Sequence, residues 1–175
     1  MAKVAIAEIK AHCKNPEEFE ELLYANGASF VGEDHQVDTY FTTAQGRAKL
    51  RQGNVENTLI FYDRHECQGI KNSQVEFVKL DPVQVDPLKA ILSQLSPVLI
   101  VVDKHRKIFF IDNVKFHIDR VEGLGSFLEI EAIGTKQQNF QELVEQCDTY
   151  QKKFEINQTD CIAQSYCDML MKLNN

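Results

Sequence analysis

The stretch VKFHIDRVEGLGSFLEIEAI, residues 114–133, is the part of the chain that says most about the fold. Apolar and polar residues alternate in two runs, a pattern that predicts two β-strands. The segment Gly123-Leu124-Gly125 between the runs favours a tight turn and lacks the lysine of a phosphate loop. Alternate side chains of a strand lie on opposite faces, so Glu129 and Glu131 share one face. The stretch therefore predicts an antiparallel hairpin with paired carboxylates on one side.

The same alternation recurs along most of the chain and is interrupted by helical segments. The helical spacing of apolar residues predicts helices over 15–27, 88–95, 137–154 and 160–173. Pro82 and Pro87 are interpreted as bracketing a short connection between the two halves of the chain. Strands are predicted over 3–13, 36–42, 46–52, 57–65, 74–80, 98–104, 106–111, 114–122 and 126–134, and those at 98–104 and 106–111 could form one long strand. Because strands outnumber helices and short turns join them, the sequence predicts an α+β fold, with an antiparallel sheet or barrel and helices outside it.

Length and composition restrict the class of protein. A chain of 175 residues is long enough for one domain, so residues 1–175 are expected to form a single domain. No apolar window is long enough to span a membrane, and the first residues lack the long apolar region of a signal peptide. Five cysteines without a CxxC pair favour reduced thiols, and a net charge of −7 disfavours sequence-independent nucleic-acid binding. We therefore expect a cytoplasmic protein with neither a membrane nor a nucleic-acid partner.

Several predicted strands carry their charges on one face. Cations dominate one face of 46–52 and of 104–106, whereas acids are paired at Glu129 and Glu131. A solvated outer face is the ordinary explanation for any one of these strands, since antiparallel sheets often have one wet side. About eight strands can also close into a barrel that is wide enough for a small ligand. In that arrangement the charged faces would point inward and the apolar faces would pack under the helices.

A lumen that contains charges of both signs has a chemical use. Lysine and arginine pair with phosphate oxygens, and arginine can do so with two hydrogen bonds. Paired carboxylates bind Mg²⁺ or Mn²⁺, which can bridge an acid to a phosphate and activate water. Either pattern is a weak signal on one strand, but both recur on successive strands. Their recurrence favours a shared lumen, and the solvated face remains the alternative.

A set of motifs also recurs in order over nearly the whole chain: EIK at 8–10, DTYF at 38–41, GRAKLR at 46–51, LIFYDR at 59–64, VDKHR at 102–106, HIDRVEGLGSFLEIE at 117–131 and SY at 165–166. This pattern resembles the CYTH family, which contains class IV (CyaB-type) adenylyl cyclases and thiamine triphosphatases. The resemblance implies a triphosphate tunnel, which is a closed barrel of eight antiparallel strands with flanking helices. It also implies a divalent metal and a triphosphate inside the barrel.

The resemblance further implies roles for individual residues. Basic residues would clamp the phosphates, namely Lys10, Lys49, Arg51, Arg64, Lys104, Arg106 and Lys115. Acidic residues would hold Mg²⁺ or Mn²⁺, namely Glu8, Asp119, Glu129 and Glu131. The residues expected to act in catalysis are Lys49, Arg51, Glu129 and Glu131. The expected partner is a small triphosphate such as ATP, thiamine triphosphate or tripolyphosphate, and the oligomeric state, including a homodimer, is left open.

One position departs from the family pattern. The family motif is ExExK, but this chain reads Ile6-Ala7-Glu8-Ile9-Lys10, so Ile6 stands in place of the first acid. Losing one carboxylate is expected to weaken one metal site or to change its preference. The leading hypothesis is phosphoryl chemistry, either as a class IV adenylyl cyclase or as a triphosphate hydrolase. A non-catalytic triphosphate-binding module is the alternative.

Two further residues have both a structural and a functional interpretation, and a third has a structural one alone. His117 lies on the predicted lumen face, where it could orient Asp119 or contact the ligand, but a hydrogen-bonded structural histidine fits at least as well. Tyr40 could stack on a nucleobase, although packing is favoured. Cys147 lies on the apolar side of a predicted helix and is expected in the core.

Overall fold

The computed structural model describes residues 2–67, 70–134 and 139–174, without the side chains of 2–4, 64–67 and 70–74. Its strands are β1 (Ala2–His12), β2 (Ser29–Phe41), β3 (Arg47–Gln52), β4 (Thr58–Cys67), β5 (Ile70–Lys79), β6 (Val98–Ile111), β7 (Val114–Val121) and β8 (Gly125–Ile133). Its helices are α1 (Pro16–Ala25), α2 (Pro82–Leu95), α3 (Phe140–Lys153) and α4 (Tyr166–Leu173), with a 3₁₀ turn at Gln158–Asp160. The predicted α+β class with antiparallel strands is confirmed, and over the described residues it comprises eight strands and four α-helices. In the same part of the chain, no helix combines the length and the apolar character needed to cross a membrane.

The strands follow the order β1-β5-β4-β3-β2-β6-β7-β8, and every neighbouring pair is antiparallel. β8 also pairs with β1, with Lys10 opposite Glu129 and Glu8 opposite Glu131, so the sheet forms a closed barrel. One side of every strand of a closed sheet points to the interior. Residues that are far apart along the chain are thereby brought around one space.

The apolar side of several strands lies outside the barrel, under α1 and α3. Ile9, Phe116 and Ile130 are at most 2% exposed and pack in one cluster with Leu143 and Cys147 of α3. The core position predicted for Cys147 is therefore confirmed. Burial of such apolar surface is the main favourable term in folding. Because the apolar side of these strands is covered by helices, their charged side faces the interior.

α2 is longer than the sequence predicts. It begins at Pro82, which suits the first helical position, and the backbone N–H of Asp81 donates to the Gln84 side chain at 2.9 Å. The interpretation of the segment between Pro82 and Pro87 as a connection is therefore wrong. Val85 is buried in a cluster with residues of β2 and β3, so α2 covers the outside of these strands.

α4 is shorter than the predicted helix over 160–173. The chain forms the 3₁₀ turn first, and α4 begins only at Tyr166 because the Ser165 hydroxyl accepts the backbone N–H of Asp168 at 3.1 Å. Arg47 of β3 donates to the carboxylate of Asp168 at 2.5 Å. This ion pair attaches the start of α4 to the barrel.

Other bounds also differ from the predicted ones. β2 begins at Ser29 and not at 36, because its early half pairs with β6 in spite of Gly32 and Asp34, which are poor strand formers. β6 is one long strand, as the sequence allowed. The first residues of the predicted helix over 137–154 lie outside the described residues, and α3 begins at Phe140.

Candidate active site

The barrel encloses a cavity of about 380 Å³ that is lined by side chains from all eight strands. Six of the predicted phosphate-binding residues line it, namely Lys10, Lys49, Arg51, Lys104, Arg106 and Lys115. Three of the predicted metal ligands line it as well, namely Glu8, Glu129 and Glu131. Arg64, the remaining predicted phosphate ligand, lies in β4, but its side chain falls outside the described part. The charged faces of separate strands thus converge on one space.

Asp38 is the centre of one group of charges, formed by β2, β3 and β6. Its carboxylate is 1% exposed and accepts from Lys49 Nζ at 2.8 Å, from Arg51 Nε at 2.9 Å and from Lys104 Nζ at 2.8 Å. Burial would raise the pKa of Asp38, but these three positive charges hold it well below its usual value. Asp38 therefore stays ionised and holds the three cations in place.

Lys104 differs from Asp38, because burial has a larger effect on its pKa than the neighbouring charges have. Burial lowers the pKa of Lys104 to about 7, because the attraction of Asp38 is offset by the positive charges of Arg51 and Arg106. The amine is therefore close to its titration point at neutral pH. An additional negative charge in the cavity would favour the protonated form.

Glu129 is the centre of a second group of charges, on the other side of the cavity. It accepts from Lys10 Nζ at 2.9 Å and from Arg106 Nη2 at 2.6 Å, and His117 Nδ1 lies 3.1 Å from it. Burial would raise the pKa of Glu129, but Lys10 and Arg106 hold it well below its usual value. Glu129 therefore stays ionised, with a basic residue on each side.

His117 and the two carboxylates of β8 form a group that can hold a metal ion. One potential ligand atom from each of His117, Glu129 and Glu131 lies within 4.8 Å of the other two. The imidazole is buried, and burial together with the charge of Arg106 lowers the pKa of His117, so the ring is neutral at pH 7. Carboxylate oxygens with one imidazole nitrogen suit a divalent ion such as Mn²⁺, and Glu8 lines the same cavity. The residues present therefore fit a divalent metal, and His117 lies against these carboxylates and not against Asp119.

Asp119 fits a metal site least well among the predicted ligands. Its carboxylate accepts two hydrogen bonds from Arg106, at 2.6 and 2.5 Å, and one from the Tyr166 hydroxyl at 2.7 Å. Asp119 is 1% exposed, and it is not among the described residues that line the cavity. In this structure Asp119 fixes the guanidinium of Arg106 and the ring of Tyr166, and its role as a metal ligand stays a prediction.

Two acidic residues that line the cavity, Asp38 and Glu56, have no role in the sequence-based interpretation. Glu56 lies in the loop between β3 and β4, where it accepts from Arg51 Nη1 at 2.9 Å and from Lys115 Nζ at 2.6 Å. Strand alternation could have identified Asp38, which shares a face of β2 with Tyr40. Glu56 gives no such signal, because side chains in a loop follow no fixed period.

Part of the cavity wall is apolar. Ile6 lies opposite Ile133 in the register of β1 and β8, and both line the cavity together with Phe77 of β5. The isoleucine at position 6 therefore belongs to an apolar section of the wall, beside the ionic one. Tyr40 is buried in a cluster with Tyr62, which favours packing over base stacking as its role.

Comparison with known proteins shows both a family and a fold. The model of the CYTH domain matches residues 7–166 of the chain, and no curated protein matches it significantly. A candidate adenylate cyclase from Vibrio parahaemolyticus aligns with a TM-score of 0.80 at 18% identity, over 98% of this chain and 99% of that one. The PH1012 protein of Pyrococcus horikoshii gives 0.78 at 23% identity, over 95% and 98% of the two chains. HpAC1 from Hippeastrum, a candidate adenylyl cyclase described with a dominant triphosphatase activity, gives 0.65 at 15% identity, over 95% of each chain.

Proposed function

The chain belongs to the CYTH family, and on this premise we propose that it catalyses metal-dependent phosphoryl transfer on a triphosphate bound in the barrel cavity. The observation that supports this most directly is the convergence of basic and acidic side chains on one enclosed space. A triphosphate carries about four negative charges, and transfer of its phosphoryl group depends on positioning and electrostatic stabilisation. Function is inferred from this site, because a fold alone does not define an activity.

The cations of the cavity are proposed to bind the phosphates. Asp38 holds Lys49 and Arg51, and Asp119 holds Arg106, before any ligand enters. Donors that are fixed in advance need little reorganisation as charge develops on the phosphoryl oxygens. We therefore assign transition-state stabilisation to Lys49 and Arg51, and phosphate binding to them and to the other cations that line the cavity.

The carboxylates of β1 and β8 are proposed to hold Mg²⁺ or Mn²⁺. Glu8, Glu129 and Glu131 offer oxygen ligands, which these ions prefer. The bound ion would supply Lewis acidity to the phosphate oxygens. Lys10 and His117 contact Glu129 and hold its carboxylate in position.

Two reactions fit this cavity. In hydrolysis, water attacks the terminal phosphorus and the bond to the bridging oxygen breaks, which releases phosphate. In cyclisation, the ribose 3′-hydroxyl of ATP attacks the α-phosphorus and pyrophosphate leaves. The apolar section around Ile6 and Ile133 can accept the organic group of a substrate for either reaction. The proposal therefore includes a class IV adenylyl cyclase and a triphosphate hydrolase, which differ in their products.

The test is a panel of ATP, thiamine triphosphate and tripolyphosphate, each with Mg²⁺ and with Mn²⁺, followed by phosphorus NMR. Cyclic AMP with pyrophosphate identifies a cyclase, and free phosphate identifies a hydrolase. Lys49→Ala should lower the rate by about 100-fold or more. Lys14→Ala removes a lysine whose side chain is 82% exposed, and it should leave the rate unchanged. Absence of product from all three compounds with both metals would contradict an enzymatic role.

A non-catalytic triphosphate-binding module is the second candidate, and Ile6 is the observation that favours it. The loss of one carboxylate ligand could abolish turnover and leave triphosphate binding intact. This candidate predicts that tripolyphosphate raises the melting temperature and that no product forms. The cytoplasmic location, the single domain and the absence of a nucleic-acid or membrane partner stay predictions. The oligomeric state, including a homodimer, stays open.

A further inference from the structure

The loop between β3 and β4 is folded around a buried carboxylate. Asp34 is 0% exposed and accepts the backbone N–H groups of Asn54 at 2.5 Å, Val55 at 2.9 Å and Glu56 at 3.0 Å. Gly53 lies so close to Asp34 that an added Cβ would be 2.6 Å from a carboxylate oxygen. Three backbone donors on one carboxylate give the loop a defined conformation, and this conformation sets the direction of the Glu56 side chain.

Glu56 reaches from this loop into the cavity, between two of the cations proposed to bind phosphate. One carboxylate oxygen accepts from Arg51 Nη1 at 2.9 Å and from Gln36 Nε2 at 3.2 Å, and the other accepts from Lys115 Nζ at 2.6 Å. Burial would raise the pKa of Glu56, but Arg51 and Lys115 lower it overall. Glu56 is therefore an ionised group at neutral pH.

The contacts of Glu56 use donors that a phosphate would need. Asp38 already accepts from Nε and Nη2 of Arg51, at 2.9 and 3.1 Å, and Glu56 accepts from Nη1. Carboxylate and phosphate oxygens accept from guanidinium and ammonium groups at similar distances and with similar strength. Glu56 therefore occupies a position that suits a phosphate oxygen.

We propose that Glu56 is a resident anion, which competes with the phosphates of the ligand for Arg51 and Lys115 and so limits the affinity of the cavity for triphosphates. This inference rests on the proposed function. Two anions close to the same donors repel each other, so the carboxylate has to share or release its contacts when a phosphate arrives. Because Asp34 holds the backbone of the loop, Glu56 stays beside the site and its charge continues to act on the bound ligand.

The test compares the wild-type protein with Glu56→Gln, which keeps the size of the side chain and removes its charge. Binding of inorganic tripolyphosphate is measured by isothermal titration calorimetry, with Mg²⁺ and in a parallel series with EDTA, where metal-dependent turnover is prevented. Glu56→Gln should lower the Kd by about tenfold or more, which is about 1.4 kcal/mol. Glu56→Ala is a second variant, which should shift the Kd in the same direction. Glu21→Gln changes the net charge equally on an exposed position of α1 and should leave the Kd unchanged.

The outcomes separate this inference from the proposed function. If the wild-type protein binds tripolyphosphate and both Glu56 variants bind it equally or more weakly, the resident-anion role is wrong and the proposed function stands. An equal gain of affinity in Glu21→Gln would also overturn the role, because the effect would then come from net charge alone. If no protein of the set binds tripolyphosphate in either series, this inference is wrong, and the proposed function is decided by the product panel with ATP and thiamine triphosphate.

Discussion

Replacement of Lys104 by methionine is expected to change how the stability of the protein depends on pH. Lys104 Nζ lies 2.8 Å from Asp38, and the Lys104 side chain is 1% exposed. Methionine is flexible and fills irregular space in a core, so the variant removes the amine with little change of packing. Asp38 keeps its contacts with Lys49 and Arg51. The comparison therefore isolates the titration of one buried group.

The sign and size of the effect follow from the two pKa values of Lys104. The pKa is about 7 in the folded protein, and it is about 10.4 for an unperturbed lysine. Between these values the unfolded state binds more protons, so the contribution of Lys104 to the free energy of unfolding rises with pH and is least favourable below pH 7. Each pH unit corresponds to about 1.4 kcal/mol. The difference between wild type and Lys104→Met should therefore change by up to about 4 kcal/mol from pH 7 to pH 10.

The assay is urea unfolding of both proteins at pH 7, 8, 9 and 10, with the free energy of unfolding extrapolated to water. Groups that titrate in both proteins cancel in the difference. A difference that stays constant within about 0.5 kcal/mol would refute the reasoning. It would mean that Lys104 keeps its proton to pH 10, and hence that the attraction of Asp38 exceeds the effect of burial.

Substitutions at four other positions test the site and its supporting loop. Glu129→Gln should lower turnover by about 100-fold or more, because it removes a proposed metal ligand. It should also lower the free energy of unfolding by about 3 kcal/mol, because buried cations lose their partner. Glu131→Gln changes a side chain that is 19% exposed, so it should lower turnover with a smaller loss in the free energy of unfolding measured with urea. Equal losses of this free energy in the Glu129 and Glu131 variants would contradict the prediction. His117→Leu should weaken Mn²⁺ binding in paramagnetic resonance titrations by about tenfold, and His117→Asn, which keeps a donor near the Nδ1 position, should recover part of the affinity. Equal Mn²⁺ affinity in all three proteins would exclude a positioning role. Gly53→Ala should lower the free energy of unfolding by about 1–3 kcal/mol, because the new methyl group meets the carboxylate of Asp34, and an unchanged melting temperature would contradict that contact.

The charged faces could be predicted from the sequence because strand alternation is a local property. The shared face of Lys49 and Arg51, and that of Glu129 and Glu131, follow from a period of two residues. Whether such a face points inward depends on distant parts of the chain, because α1 and α3 have to cover the opposite side. The apolar spacing of α3, with Leu143 and Cys147, was the signal for that cover. The closed barrel and the roles of its charged residues were predicted from the resemblance to a known family.

The partners of the cations could not be predicted, because they depend on strand register and on loop conformation. Asp119 pairs with Arg106 since the two are opposite each other in the register of β6 and β7. A shift of one residue would send Asp119 to the other face of the sheet, and the sequence does not specify register to that accuracy. The direction of the Glu56 side chain depends on a loop that the buried carboxylate of Asp34 holds in place. No periodic pattern in the sequence predicts such a contact.

The charge balance of the cavity leads to a last prediction, on the amount of metal that a bound triphosphate requires. Among the described side chains that line the cavity, seven are lysine or arginine and five are aspartate or glutamate, which leaves a formal charge of +2. A triphosphate with about four negative charges would exceed this by about two, and one divalent ion would restore neutrality. Ile6 also removes a carboxylate that could hold a second ion. We therefore expect one Mn²⁺ per protein in the presence of tripolyphosphate, and a resonance titration that saturates at two ions would contradict both arguments.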